Sequence, residues 1–134
     1  MPHLRFETTA TPHDRRAFTE WVTERFAEIM ETGTSHVGVS LRIRDGRDLA
    51  LGRAGPDEDV ALVDADVRAG RTDEQRRELA VSIVERLADR WGLPEENVYL
   101  VYTEHDGRDF HLVEGALASW DETEADTGAT RREE

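Results

Sequence analysis

The sequence contains no cysteine, no lysine and no long hydrophobic run. The absence of cysteine excludes disulfides, cysteine nucleophiles, Cys-ligated zinc and iron–sulfur clusters. The absence of lysine excludes a Schiff base on a lysine side chain, so the amine of the N-terminus is the one left for such chemistry. No apolar segment approaches the roughly 20 residues of a membrane span, and we expect no signal peptide. These absences predict a cytoplasmic protein with no membrane partner.

The chain is strongly acidic. It has 30 Asp and Glu residues against 17 cations, and the formal net charge is -13. All 17 cations are arginines. Nothing in this pattern makes a basic face, so we expect no nucleic-acid partner. An acidic surface without lysine resembles proteins of salt-loving microbes, in which hydrated carboxylates maintain solubility. A GC-rich genome that encodes an acidic protein is the alternative explanation.

An internal repeat indicates how the chain is organised. The string Asp-Gly-Arg-Asp occurs at residues 45–48 and again at 106–109, a shift of 61 residues. At the same shift Thr11 falls on Thr72, and both threonines are typical helix N-caps. Two matches at one offset predict two copies of one structural unit.

The domain boundaries follow from this repeat. A length of 134 residues suits one domain, which buries roughly two-thirds of the surface of its unfolded chain. We predict a single domain over residues 1–120, with copies at about 2–52 and 60–113. Residues 121–134 are predicted to form an acidic, disordered tail.

Each copy is predicted to contain a strand, a helix and a second strand. Alternation predicts the strands and a 3.6-residue apolar period predicts the helices. The capping box of Thr72 and Gln75 starts the second helix, and Thr11 starts the first. After each repeated string the chain is expected to turn into a further short strand. The predicted segments are strands at 2–7, 37–43, 48–51, 98–102 and 110–113, a strand that begins with 60–63, and helices that end at Gly33 and at Gly92 with Pro94.

Two such units predict an α+β fold. It would contain one four-stranded sheet with two helices on one face. Because the connections cross over, the strands that flank each helix are expected to be parallel. A ferredoxin-like binding module and a tautomerase-type barrel subunit both fit this plan.

Several residues are candidates for chemistry. Removal of Met1, which is usual before a small residue, would leave Pro2 with a free secondary amine. Arg68 and Arg71 precede a helix cap and can bind a carboxylate through bidentate hydrogen bonds. Two further candidates, Tyr102 and Glu114, lie near the last strands. Each candidate also has a non-functional interpretation. Pro2 could be a chance proline, the two arginines could be solvated, Tyr102 could be an ordinary sheet residue and Glu114 a surface acid.

Together these positions resemble a known family. The matching features are Pro2, the segment 32–36 (Thr-Gly-Thr-Ser-His), Arg68-x-x-Arg71, Val101-Tyr102 and Val113-Glu114. With these residues the chain resembles the tautomerase superfamily, and within it the cis-3-chloroacrylic acid dehalogenase branch. The resemblance implies a double β-α-β fold, a homotrimer and no cofactor. The matching positions extend from the N-terminus to about residue 114, which is most of the chain.

The resemblance also implies roles for these residues. Pro2 would be the catalytic proline, and Arg68 with Arg71 would hold and polarise a substrate carboxylate. Tyr102 and Glu114 would activate water. The branch has a substrate-binding histidine where this sequence has Glu28. That departure weakens the expectation of dehalogenation more than the expectation of proline chemistry.

The chemistry of such a site follows from its charges. Two nearby arginines and partial burial would lower the pKa of the proline amine. A neutral amine can remove a proton next to a carbonyl and return it elsewhere, while the arginines stabilise the dienolate. Glu114 near Pro2 would instead favour the ammonium form. The ammonium could protonate the carbanion that forms when water adds to an unsaturated acid.

We therefore expect a tautomerase or isomerase acting on small 2-keto, enol or α,β-unsaturated carboxylic acids. Hydration or cis-3-haloacrylate dehalogenation is the catalytic alternative. A non-catalytic ferredoxin-like binding module, or a family member that has lost activity, is the non-enzymatic one.

We expect no bound metal. The five histidines have no His-x-x-x-His spacing, and we interpret them as surface or strand residues. They are His3, His13, His36, His105 and His111.

Overall fold

The computed structural model describes residues 2–113 and 115–116. Two α-helices and six strands occur in this part of the chain. They are β1 (Pro2–Thr8), α1 (Arg15–Met30), β2 (Gly38–Ile43), β3 (Ala61–Arg68), α2 (Asp73–Trp91), β4 (Val98–His105), β5 (His111–Leu112) and β6 (Gly115–Ala116). Short 3-10 helices at Glu95–Asn97 and Gly107–Asp109 flank β4.

The four long strands form one mixed sheet in the order β2-β1-β3-β4. The strands within each β-α-β unit are parallel, and the two units meet through the antiparallel pair of β1 and β3. Arg5 lies opposite Asp64 at the middle of that pair, so the units are related by an approximate twofold axis there. The α+β class and the tandem β-α-β plan are thus confirmed.

The core lies between the sheet and the two helices. Alternation along β1 buries Leu4 and Phe6 on one face and leaves the intervening residues toward solvent. The ring of Phe18 from α1 packs edge-on against Phe6 at 5.0 Å between ring centres, and 4.5 Å from the ring of Trp91 in α2. Both helices therefore cover the same face of the sheet.

The observed ends of α2 agree with those predicted from the sequence, whereas the observed ends of α1 differ from the prediction. The capping box is present, with Thr72 and Gln75 each bonded to the other's backbone N–H. The predicted start of α1 at Thr11 is wrong, because the N-cap residue is Asp14. The helix also ends before Gly33, at Glu31, whose φ of 55° is in the left-handed region.

The repeated string forms the same local turn in both copies. Oδ1 of Asp45 accepts from the backbone N–H of Arg47 at 2.9 Å, and Oδ1 of Asp106 accepts from that of Arg108 at 3.2 Å. The strand predicted at 48–51 is absent, and that segment is turn and loop. The strand predicted at 110–113 is present as β5, paired with β6. The predicted tail and the boundary at residue 120 lie outside the described residues, so the domain limits stay a prediction.

Candidate functional site

The strand register brings Pro2 and the end of β3, where Arg68 lies, to one end of the sheet. Pro2 lies opposite Val67, and Val67 lies opposite Glu104 in the next strand. On the other side, His3 lies opposite Gly38 at the start of β2. Helix α2 begins at this end and α1 finishes there. We call this region the proline end.

Pro2 and the two arginines surround the junction between β3 and α2. Pro2 is buried and shares the helix-covered face with Leu4. Arg68 is the last residue of β3 and is only 5% exposed, and Arg71 lies just before the α2 cap and is 9% exposed. Alternation along β3 directs Arg68 to the face without helices, opposite to the face that Pro2 shares with Leu4.

The segment after β4 lies beside Arg68. The pKa of the Asp106 carboxyl is held below its usual value, first by hydrogen bonds from Arg108 and also by the charge of Arg68. Phe110 follows and packs edge-on against the ring of His105 at 5.5 Å between ring centres. The repeated turn therefore has a specific place in the second copy, next to the buried Arg68.

A polar cluster holds His105 on the face without helices. Its Nε2 lies 2.8 Å from Oδ1 of Asp66, whose Oδ2 accepts from Nη2 of Arg5 at 2.5 Å. Burial raises the pKa of the Asp66 carboxyl, but the hydrogen bonds and charges of His105 and Arg5 lower it more, so the net shift is downward. The sequence patterns did not indicate this cluster, because its members come from three strands.

Tyr102 lies on the helix-covered face of β4. Its hydroxyl donates a 2.7 Å hydrogen bond to the backbone carbonyl of Arg76 in the first turns of α2. Burial raises the pKa of this phenol above its ordinary value, and the charge of Arg76 opposes that shift only in part. The hydroxyl is therefore protonated near neutral pH, and its proton is directed at α2.

Of the two remaining predicted positions, Glu28 is within the described residues and Glu114 is not. Glu28 lies on α1 with a largely exposed side chain, and its carboxylate pairs with Arg25. Arg25 also donates to the hydroxyl of Ser82 in α2 at 2.9 Å. The carboxylate of Glu28 thus belongs to a surface network that joins the helices. Glu114 lies outside the described residues.

Two clefts on the surface lie elsewhere. A groove of about 350 Å³ runs between α1 and β2 and includes Glu20 and Val39. A cleft of about 440 Å³ lies at the opposite end of the sheet, lined by His13, Asp59 and Trp91 among others. Neither cleft includes Pro2, Arg68 or Arg71.

The part of the chain that the structure describes holds neither a metal-ligand cluster nor a membrane-spanning helix. Among residues 2–113 and 115–116, no three His, Asp or Glu side chains are grouped so as to hold a metal ion. Over the same residues, neither helix has the length and apolar character needed to cross a membrane.

Comparison with known proteins found a matching family model. A family model described as a tautomerase enzyme matches residues 47–112. The match includes Arg68, Arg71 and Tyr102, whereas Pro2 lies before it. A search of curated proteins found no match.

Solved structures with the same fold are more numerous. A member of the cis-3-chloroacrylic acid dehalogenase family is 25% identical, with a TM-score of 0.71 over 84% of this chain and 82% of the other. A malonate semialdehyde decarboxylase inhibited by 3-bromopropiolate is 23% identical, with a TM-score of 0.67 over 81% and 86%. A fused 4-OT described as a symmetric trimer is 16% identical, with a TM-score of 0.74 over 84% and 94%. The last two show the fold alone. The family match over residues 47–112 and the 25% identical dehalogenase-family structure support a place for the chain in the tautomerase superfamily, with a likeness to the cis-3-chloroacrylic acid dehalogenase branch.

Proposed function

We propose that the protein is an enzyme that uses the amine of Pro2 as general base and acid. Its substrates would be small 2-keto, enol or α,β-unsaturated carboxylic acids. The observation that supports this proposal is the register that sets Pro2 opposite Val67, the residue before the buried Arg68, with the buried Arg71 three positions further along the chain. Removal of Met1 is part of the proposal, because an acylated nitrogen can be neither base nor acid.

The proposed reaction is a keto–enol tautomerisation. Arg71 binds the substrate carboxylate through its planar fork, and Arg68 stabilises the negative charge that develops on the carbonyl oxygen. The neutral amine of Pro2 takes a proton from the carbon next to the carbonyl, and the electron pair moves onto oxygen. The resulting ammonium then returns the proton to oxygen or to another carbon, which restores the free amine.

Hydration or dehalogenation is the second candidate, and the dehalogenase relative favours it. It requires Tyr102 and Glu114 to activate water. Because the Tyr102 hydroxyl donates its proton to the Arg76 carbonyl, its oxygen can accept a hydrogen bond from water. A protonated phenol is a weak base, so the base in this reaction would be Glu114.

We further propose that the active form is a homotrimer. The fused 4-OT of the same fold is a symmetric trimer. On the face without helices, Tyr99 and Val101 of β4 are 56% and 39% exposed. Arg68 points to that face as well, so a neighbouring subunit packed there would lie next to the arginine and could contribute to a pocket at the proline end.

The proposal is tested with substrates and with paired arginine variants. The substrates are phenylenolpyruvate, 2-hydroxymuconate and a cis-3-haloacrylate. A hydrogen bond to a charged group contributes about 1.5–3 kcal/mol, so Arg71→Ala should lower kcat/KM roughly tenfold to 150-fold. Arg77→Ala removes an exposed arginine of α2, the helix that follows Arg71, and should leave kcat/KM unchanged. Equal effects of the two variants would show that Arg71 does not bind the substrate.

Mass spectrometry tests the role of the amine. We expect the mature protein to begin at Pro2, and 3-bromopropiolate to add covalently to that residue. Active protein that retains Met1 would exclude the proline mechanism. If the parent protein turns over none of the three acids, a binding module or an inactive family member is the better interpretation.

A further inference from the structure

The glutamine of the capping box makes a contact that helix capping does not require. Oε1 of Gln75 accepts from the backbone N–H of Thr72 at 2.9 Å, and the Gln75 N–H donates to Thr72 Oγ1 at 3.1 Å. These two bonds complete the box. The other half of the amide, Nε2, donates to the backbone carbonyl of Ile29 at 3.1 Å.

That carbonyl belongs to the last turn of α1. The final four carbonyls of a helix have no partner within the helix and need one from elsewhere. Gln75 supplies the partner for Ile29 and caps the start of α2 with the same side chain. One residue therefore joins the end of α1 to the beginning of α2.

Arg71 directly precedes this junction. The connection from β3 turns at Gly70, whose φ of 120° suits glycine, and then passes through Arg71 to Thr72. The direction of the Arg71 side chain depends on the backbone at residues 71 and 72. Gln75 accepts a hydrogen bond from the N–H of Thr72 and donates one to the last turn of α1. It therefore determines the backbone position from which the Arg71 side chain extends.

Other bonds hold α2 to the sheet and do not involve Gln75. The Tyr102 hydroxyl binds the Arg76 carbonyl, and the Arg76 guanidinium pairs with Glu104 of β4 and Asp73. Loss of the bond from Gln75 to Ile29 should therefore leave the helix packed and folded. The expected result is a local shift of the 71–72 backbone.

We propose that Gln75 is a positioning residue for Arg71, acting through its hydrogen bond to the Ile29 carbonyl. The kinetic part of this inference rests on the proposed function, in which Arg71 binds the substrate carboxylate. The structural part does not, because it concerns only the order of the Arg71 side chain.

The informative variant is Gln75→Glu. The new carboxylate keeps an oxygen for the Thr72 N–H, so the capping box is retained. It cannot donate to the Ile29 carbonyl unless it is protonated, and a glutamic acid is ordinarily protonated only near pH 4 or below, about 4.3 in model peptides. Facing a carbonyl oxygen raises that value, because the contact disfavours the charged form.

The expected kinetic result is a rise in KM with little change in kcat. A neutral hydrogen bond contributes about 0.5–1.5 kcal/mol, which corresponds to roughly twofold to tenfold in KM at about pH 7.5. Relative to the parent protein, the variant should recover as the pH is lowered to about 5, where the new carboxyl begins to protonate and donate again. A merely structural role would produce no such recovery.

The matched control is Thr9→Ala. At the opposite end of the sheet it removes both hydrogen bonds of Thr9 Oγ1, the one donated to Asp59 at 2.9 Å and the one accepted from the Val60 N–H at 3.1 Å. Thermal unfolding of both variants separates loss of stability from loss of positioning. The control should lower stability at least as much as Gln75→Glu and leave KM unchanged.

A second measurement does not depend on turnover. NMR follows the exchange of the Arg71 Nε–H proton with solvent, which should be faster in Gln75→Glu at neutral pH and unchanged in Thr9→Ala. If the parent protein is inactive, the proposed function fails while this measurement still tests the inference. Exchange in Gln75→Glu equal to that of the parent, or exchange equally fast in Thr9→Ala, would overturn it.

Discussion

Tyr102 and Arg76 are joined by a 2.7 Å hydrogen bond from the phenol hydroxyl to a backbone carbonyl. The bond connects the edge strand β4 to α2 one residue beyond Gln75. This bond ties the first turns of α2 to the sheet, and the bond from Gln75 to the Ile29 carbonyl ties them to α1. Arg71 lies just before the helical turns that these two bonds hold.

Tyr102→Phe should lower stability and leave tautomerisation largely intact. The variant loses one neutral hydrogen bond, so the free energy of unfolding should fall by about 0.5–1.5 kcal/mol in urea titrations. Tyr99→Phe, at an exposed residue of the same strand, is the control and should change little. A fall in turnover rate by roughly two to four orders of magnitude, the usual contribution of a general acid or base, would instead assign Tyr102 a direct role in proton transfer.

The Asp66 cluster should make stability depend on pH in the acid range. The folded-state pKa of Asp66 is below its ordinary value, so its contribution is present at neutral pH and is lost as the pH falls through the folded pKa. Asp66→Asn should therefore be less stable than the parent by about 1.5 kcal/mol at pH 7. The difference should shrink below about pH 4, near the pKa of an unfolded aspartate.

Unfolding free energies measured across the pH range test this prediction. Asp64→Asn, at an exposed carboxylate of the same strand, is the control. A constant difference between Asp66→Asn and the parent at every pH would contradict the linkage.

Trp91→Phe should weaken the contact between the two helix ends. The indole N–H donates to Oδ1 of Asp14 at 2.8 Å, and this bond is the main cause of the lowered pKa of that carboxyl. The phenylalanine ring retains much of the packing against Phe18. We expect a loss of about 1 kcal/mol and an upward shift of the Asp14 pKa, measured by carboxyl NMR.

A double-mutant cycle isolates this bond from the change in ring size. Asp14→Ala, Trp91→Phe and the double variant give the coupling energy between the two side chains. Additive losses would mean that the hydrogen bond contributes nothing measurable.

Sedimentation at high salt should detect a homotrimer. High salt is needed because self-repulsion at a net charge of -13 opposes association in dilute buffer. Tyr99→Glu places a charge on the exposed face of β4 and should dissociate the assembly. Val81→Glu places the same charge on the outer face of α2, where Val81 is 41% exposed, and should not. A parent protein that stays monomeric at high salt would contradict the proposal.

Local patterns in the sequence were sufficient for the main elements. Alternating apolar residues predicted β1 and β2, and a 3.6-residue period predicted both helices. The Thr72 capping box and the two Asp-Gly-Arg-Asp turns were also recognisable, because the bonds that form them join residues two or three positions apart. Two β-α-β units then left few ways to build a sheet, so the fold class followed.

Tertiary structure decided what depends on distant partners. Helix α1 begins at Asp14 rather than Thr11, and the carboxylate of Asp14 binds Trp91, which is 77 residues away. Local patterns also could not predict the polar cluster of Arg5, Asp66 and His105 or the bond from Gln75 to Ile29, because their members are far apart in the sequence. The chemistry of a side chain determines which hydrogen bonds it can make. Which of them it does make depends on strand register and helix packing, and these are set only when the whole core is assembled.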